Sequence, residues 1–201
     1  MQSSLRAAML GAPMTDWHGM TWLNEPPRWS ADQRVLRLWT AQDTDFWRRT
    51  HYGFTHDSGH FLGLPAQQTF TAQVRVRGAY TALYDQAGLM LRAGAEHWIK
   101  AGVEFVGQQQ LSAVVTHGFS DWSVCPVGSP AFFDLKMTRQ GDALSVHSRL
   151  PDADWSLLRL AYLPPDLAAS VGVYACSPQG GGFEVVFSDF ALGPAETGAL
   201  Y

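Results

Sequence analysis

Apolar and polar residues alternate with a period of two along most of this chain. Phe70, Ala72, Val74 and Val76 alternate with Thr71, Gln73, Arg75 and Arg77, which predicts a strand with one buried and one wet face. Val35-Leu36-Arg37-Leu38-Trp39 is an earlier strand, and 83–92, 98–106 and 111–117 follow with short glycine-containing breaks. Phe133, Leu135 and Met137 alternate with Asp134, Lys136 and Thr138. Gln140-Gly141-Asp142 then turns the chain into Leu144, Val146 and Ser148, a hairpin signal. Segments 155–162, 171–176 and 183–192 bring the total to roughly ten strands. One short helix is expected over 164–170, with Pro164 and Pro165 ahead of its first turn. The pattern holds no long stripe of period 3.6, no internal repeat and no low-complexity segment. Many strands spaced by about 8–14 residues, with turns between them, predict an all-β, two-sheet antiparallel sandwich, with a closed barrel as the alternative.

Composition narrows this further. A chain of 201 residues fits one domain, expected over 1–201 with a core at about 20–193 and tails at 1–13 and 194–201, the latter expected to fray. Hydrophobic residues make up 46% and charged residues 16%, which describes a folded chain with a sizeable core. Nineteen glycines and eleven prolines suit many short strands joined by turns. A net charge of −4 argues against a nucleic-acid or anionic-membrane partner, since Arg48-Arg49 and Arg75/Arg77 are two pairs and not a basic stripe. The Ala-Ala-Met-Leu run near the N-terminus is shorter than a signal peptide needs. No stretch approaches the ~18 apolar residues of a membrane span. A cytoplasmic location is therefore expected. Cys125 and Cys176 lack metal or redox spacing and are expected to be reduced, half-buried and structural, with a mutual disulfide as the alternative.

The candidate chemistry lies where polar and aromatic residues interrupt these strands. In 98–105, Ile99, Ala101, Val103 and Phe105 form one face, while Trp98, Lys100, Gly102 and Glu104 form the other. Tyr84, Gln86, Gly88 and Met90 share a parity in the preceding strand, with Asp85 between the first two. If the two strands are neighbours, Gln86, Lys100 and Glu104 converge on one patch. Lys100 and Glu104 lie about 13 Å apart along a strand, so each needs a cross-strand partner, water or a ligand. The plainer alternative is a solvated face with cross-strand charge pairs.

Two further groups stand out. In 44–52, Asp45, Trp47, Arg49 and His51 would share one strand face, with Phe46, Arg48 and Tyr52 on the other. That describes either a ligand rim or a sandwich end closed by Trp47, with Arg49 paired to Asp45. In 114–123, a β-branched run delivers Thr116, His117, Asp121 and Trp122 to a turn, a groove wall or a plain turn. Ser120, His117 and Asp121 lie too close in sequence for a nucleophilic triad, and no Gly-x-Ser-x-Gly elbow is present. His51, His56 and His60 with Asp57 form a dense group, but no recognised ligand spacing accompanies them, so no metal is expected. The Glu-x-Asp-x-(x)-Glu pattern of sandwich-fold glucanases is absent. Paired-acid hydrolysis would have to use Glu104 with Asp85 or Asp121.

These motifs together resemble a known family. Trp22-x-Asn24-Glu25-Pro26, Thr44-Asp45-Phe46-Trp47, Tyr84-Asp85-Gln86-Ala87-Gly88-Leu89, Trp98-Ile99-Lys100-x-Gly102-x-Glu104, Val114-Val115-Thr116 and Ser120-Asp121-Trp122-Ser123 occur in the order seen in the "regulation of enolase" family. The resemblance runs from about Trp22 to Leu192. It implies a concanavalin-A-like jelly-roll sandwich of two curved antiparallel sheets, the concave face forming a groove. The family's function is unknown, and the name comes from a fungal member linked to enolase regulation. The leading expectation is a carbohydrate or related small polar ligand on the concave face. Asp45, Trp47, His51, Tyr84, Asp85, Gln86, Trp98, Lys100, Glu104, Thr116, Asp121 and Trp122 would contact it, without a cofactor. The alternatives are a sugar-active hydrolase and a regulatory protein that docks a metabolic enzyme, with a protein partner or homodimer.

Overall fold

A computed structural model of the protein describes residues 17–198. After a short 3-10 turn at Trp17–Gly19, the chain forms β1 (Thr21–Leu23), β2 (Arg28–Ala31), β3 (Val35–Trp39), β4 (Phe46–Arg48) and β5 (Thr55–Asp57). Then come β6 (His60–Ala66), β7 (Thr69–Gly78), β8 (Gln86–Arg92), β9 (His97–Phe105), β10 (Gln109–His117) and β11 (Phe119–Gly128). The last five are β12 (Phe133–Gln140), β13 (Ala143–Arg149), β14 (Ser156–Tyr162), β15 (Ala169–Cys176) and β16 (Glu184–Gly193). They build two seven-stranded antiparallel sheets, in the orders β1-β6-β15-β8-β9-β10-β11 and β14-β13-β12-β7-β16-β3-β2. β4 and β5 pair separately as a small hairpin. This is an all-β sandwich of the concanavalin-A-like kind.

Alternation explains why the two sheets stack. Leu89, Leu91, Ile99, Ala101 and Val103 from the first sheet meet Val74, Val76, Leu135, Met137 and Phe187 from the second in one dry core. Burying each larger side chain contributes about 1.5–3 kcal/mol. In the first sheet Gly88 faces Gly102 and Gly172 faces Gly63. A Cβ on Gly88 would run into the Ala101 carbonyl, and one on Gly102 into the Ala87 carbonyl. The strands approach too closely there for any side chain.

The strands with clean alternation lie where the sequence places them, and the β12–β13 hairpin turns at Gly141 with φ +64°. Other strands, β6 and β11 among them, carry no such signal. β6 is buried on both faces, and β11 is exposed along most of its length as an edge strand. Neither environment produces alternation. The helix expected over 164–170 does not form: Pro164 and Pro165 sit in a turn ahead of β15. The buried Arg139 guanidinium donates to both proline carbonyls, at 3.2 Å each, so these carbonyls serve a side chain and not a helix ladder.

The C-terminal stretch does not fray within the described residues. The Glu196 amide donates to Thr71 Oγ1 at 2.8 Å, and its carboxylate pairs with Lys136 at 2.7 Å. The expectation for 1–13 and for 199–201 falls outside the described residues. Both cysteines are free, but neither is half-buried: Cys176 is fully buried and Cys125 is exposed. Among the described residues no helix is long and apolar enough to cross a membrane.

Candidate functional site

The outward face of the first sheet is only partly wet. The β4–β5 hairpin lies over it and builds a second apolar cluster, in which Phe46 and Trp47 pack with Phe61, Met90, Trp98, Val114, Tyr174 and Cys176. Polar contacts fix the hairpin at several points. The Arg48 amide donates to Ser120 Oγ at 2.9 Å, its guanidinium reaches Gly118 O and Glu96, and Arg92 holds Asp57 bidentately at 2.8 and 2.7 Å. What the hairpin leaves uncovered is a groove of about 440 Å³. Gln86 on β8, Lys100 and Glu104 on β9 and Val114 on β10 floor it, and Trp47, Tyr52, Phe54 and Trp122 wall it, with Trp122 edge-on to Trp47.

The strand register assembles this floor. β8 pairs with β9 so that Gln86 lies opposite Glu104 and Met90 opposite Lys100. Lys100 is 3% exposed, and its ammonium donates to Gln86 Oε1 at 2.6 Å and to the Phe46 carbonyl at 2.8 Å, with Asp45 Oδ1 at 3.5 Å. Glu104 is 7% exposed. Its Oε2 accepts from Ser112 Oγ at 2.9 Å and from Trp122 Nε1 at 3.1 Å. Burial pushes the Glu104 carboxyl above its usual range, against the opposing pull of Lys100 and the Ser112 hydrogen bond. Lys100 and Glu104 thus find separate cross-strand partners, as their spacing along one strand requires.

The rim is conformationally unusual. Asp43 and Tyr84 in the groove lining, and Arg49 and His51 in the hairpin turn beside it, all hold positive φ, between 56° and 67°. This region is uncommon for non-glycine residues and tends to cluster at functional positions. The Tyr52 and Tyr84 hydroxyls lie 3.4 Å apart, and that contact, with burial, raises the Tyr52 phenol to about 12.

Of the residues singled out in the sequence, Asp45, Trp47, Tyr84, Gln86, Lys100, Glu104 and Trp122 line the groove. His51 and Asp121 line a neighbouring depression of about 610 Å³ beyond the Trp47–Trp122 ridge. Three do not reach either. Asp85 is fully buried and locks a turn, accepting from the Thr81 and Ala82 amides at 2.9 and 2.8 Å and from Ser177 Oγ at 2.6 Å. Thr116 is fully buried against Ser120 at 2.9 Å. Trp98 lies beneath the hairpin against Phe46, with ring centroids 6.2 Å apart. The single strand expected through 44–52 ends at Arg48, because Arg49 and His51 turn the chain at positive φ. Arg49 consequently does not pair with Asp45; it lies over the Phe119 ring.

The acid pairs considered for hydrolysis are not assembled. Asp85 is committed to its turn, and Asp121 is exposed outside the groove with Arg159 at 3.7 Å. Asp45 and Asp43 are instead the carboxylates that share the groove with Glu104. The histidines also diverge. His60 is buried, with Nε2 accepting from the Ala41 amide at 2.9 Å, so that Nδ1 carries the proton toward Asn24 O at 2.6 Å. Burial lowers its pKa, with the Asn24 bond opposing. His56 stays at the groove rim and His51 beyond the ridge. Among the described residues no three His, Cys, Asp or Glu side chains are grouped to hold a metal ion.

Sequence reasoning missed Asp43, Tyr52, Phe54, His56, Val114, Pro178 and Gln179 as lining residues. Tyr52-x-Phe54-x-His56 carries a period-two signal of its own that would have exposed three of them.

Sandwich and groove together define a concanavalin-A-like domain with a part-apolar, part-charged concave site. Residues 22–195 match the family described as "Protein of unknown function (DUF1349)", and the chain belongs to that family. It is 44% identical over 186 residues to "Regulation of enolase protein 1" of Saccharomyces cerevisiae, covering 92% of this chain and 94% of that protein. It is also similar to the crystal structure of a functionally unknown protein from Saccharomyces cerevisiae, with a TM-score of 0.86 and 45% identity over 92% of this chain and all of that one. Two remoter likenesses bear on the fold alone. The GH43 protein BlXynB of Bacillus licheniformis gives a TM-score of 0.72 at 15% identity over 89% of this chain and 37% of that one. The carbohydrate-binding module CBM66 of Bacillus subtilis gives 0.56 at 13% identity, over 87% and 95%.

Proposed function

We propose that the concave groove binds a carbohydrate or a closely related small polar ligand. The observation that carries this is the combination of ring faces and buried polar groups in one cavity. Trp47, Tyr52, Tyr84 and Trp122 line it beside a carboxylate and an ammonium that are each more than nine-tenths buried. A sandwich gains no stability from burying Lys100 and Glu104 on an outward face, because desolvating charges costs more than apolar packing would. A polyhydroxylated ring suits such a site: its apolar faces stack on indole and phenol, and its hydroxyls meet carboxylates. That one remote fold neighbour is a carbohydrate-binding module accords with this. The test is a thermal-shift screen of mono- and oligosaccharides. A ligand at about 100 times its dissociation constant stabilises the fold by ~2.7 kcal/mol. Trp122→Ala should abolish the shift while leaving the unliganded fold intact. A flat screen across sugars would remove the proposal.

A second reading rests on a different surface. The exposed edge strands β11 and β14 carry Phe119, Val124, Leu160 and Tyr162, each more than two-fifths exposed. Together with the name of the yeast relative, this favours docking of enolase on that edge. Surface-plasmon resonance with purified enolase should then show binding that Leu160→Glu weakens at least tenfold; no binding by the unaltered protein would end this reading.

A further inference from the structure

The hydrogen-bond inventory of the groove points to a particular kind of ligand, given that a saccharide occupies it. Lys100 offers three protons, and Phe46 O, Gln86 Oε1 and Asp45 Oδ1 face them at 2.8, 2.6 and 3.5 Å. Two protons are taken by hydrogen bonds, and the charge is paired with Asp45 at ion-pair distance. The Gln86 amide likewise points both protons inward, to Asp45 Oδ1 at 3.3 Å and Tyr84 O at 3.2 Å. Trp122 Nε1 is shared between Glu104 Oε2 and Ser112 Oγ at 3.1 Å each, and Trp47 Nε1 donates to Thr50 O at 3.0 Å. Apart from the third Lys100 proton, these side-chain donors are spent within the protein.

The acceptors are not. Glu104 Oε1 and Asp45 Oδ2 have no hydrogen-bond partner among the described residues, although Glu104 is 7% exposed and both residues line the cavity. Asp43 adds a third carboxylate at the rim. Three carboxylates therefore line the groove with one ammonium, which is already paired with Asp45. Among the other lining side chains, the Tyr52–Tyr84 hydroxyl pair and the exposed His56 and Gln179 can still donate.

The walls reinforce this imbalance. Trp47 meets Trp122 nearly at right angles (88°, centroids 6.4 Å) and Tyr52 at 70° (5.6 Å), making a corner of ring planes over the carboxylates. The faces of such rings are electronegative and attract cations, most strongly where water is excluded. We infer that the groove selects an aminated sugar, a saccharide whose protonated amino group lies in the Trp47–Trp122 corner and donates to Glu104 Oε1 and Asp45 Oδ2. An ammonium supplies the donors these oxygens lack, and it offsets the burial that otherwise disfavours an ionised Glu104. A neutral sugar satisfies fewer of these acceptors. A uronic acid would place a carboxylate against carboxylates, with the one ammonium already paired to Asp45.

The experiment is calorimetric titration of the full chain with three β-1,4- or α-1,4-linked tetramers: glucosamine, glucose and galacturonic acid. The glucosamine tetramer should bind about tenfold or more tightly than the glucose tetramer, and the galacturonic acid tetramer should give no heat of binding. Glu104→Gln should remove most of the preference for the amine, bringing the glucosamine and glucose tetramers to within about threefold of each other. Its melting temperature, measured alongside, reports whether it folds. Equal binding of the glucosamine and glucose tetramers would overturn the inference and leave the saccharide site standing. An amine preference unchanged in a folded Glu104→Gln protein, or galacturonic acid binding as well as glucosamine, would also overturn it. Silence with all three tetramers, followed by a flat wider sugar screen, would remove the saccharide site as well.

Discussion

The two seven-stranded sheets each turn one face to the shared core and one face outward, and the outward faces dispose of charge in opposite ways. On the second sheet, Asp134 takes hydrogen bonds from Arg75 (2.8 and 3.1 Å) and Arg149 (3.1 and 2.7 Å), so both its oxygens are filled. Burial pushes its carboxyl up, but the two guanidinium groups outweigh that and hold it below the ordinary range. Arg75 rests over Phe132, and Arg149 and Lys136 over Trp155. That face is charged, aromatic and internally closed. On the first sheet, Lys100 is matched while Glu104 and Asp45 each keep an oxygen open to the groove. Aromatic and charged residues alone do not distinguish a site from a decorated sheet. Unspent hydrogen-bonding capacity inside a cavity does.

Substitutions can break this contrast, and the largest effect is expected at Lys100. Lys100→Met leaves Asp45, Gln86 Oε1 and Phe46 O facing a methyl group, and removing one partner of a buried ionic network costs about 3–5 kcal/mol. Urea denaturation should show that loss, with the hairpin at 46–57 becoming protease-sensitive first. Asp134→Ala should cost less, about 1–2 kcal/mol, because its two arginines are part-exposed and water takes up their charge. It should leave ligand binding unchanged. A Lys100→Met protein no less stable than Asp134→Ala would erase the proposed difference between the faces.

Glu104→Gln should have the smallest effect on stability, within about 1 kcal/mol, but a diagnostic dependence on pH. An acid whose folded-state pKa is raised binds more protons in the native than in the unfolded chain, so native stability falls as pH rises through that interval. The unaltered protein should therefore lose stability as pH rises from about 4.5 toward neutrality, relative to Glu104→Gln. The variant should be the more stable of the two at pH 7. Parallel stability curves would mean that Glu104 is not held in the desolvated position described here.

Much of the sandwich was legible in the sequence, because strands with one dry and one wet face must alternate. β7, β9, β10 and β12 did so and were found. β6 and β11 were invisible for the converse reason, one buried on both faces and the other largely exposed. Parity also brought Gln86, Lys100 and Glu104 to one patch, since β8 and β9 are neighbours. Parity failed for Trp98, because it says which face a residue takes and not what lies over that face. The hairpin that covers Trp98 depends on left-handed turns at Arg49 and His51, which no hydrophobic pattern encodes. Asp85 misled for a related reason: its buried carboxylate serves the turn before β8 and never sees the groove.

Ligand contact can be read directly at the indole N–H groups of the eight tryptophans. In ¹H–¹⁵N spectra of the labelled protein, a panel of glucose, xylose and glucosamine tetramers would be added in turn. If the concave groove is a saccharide site, at least one tetramer shifts the Trp47 and Trp122 resonances, which line it, and leaves Trp39 and Trp155 in place. Stationary Trp47 and Trp122 signals with every tetramer, or shifts confined to Trp39 and Trp155, would contradict it.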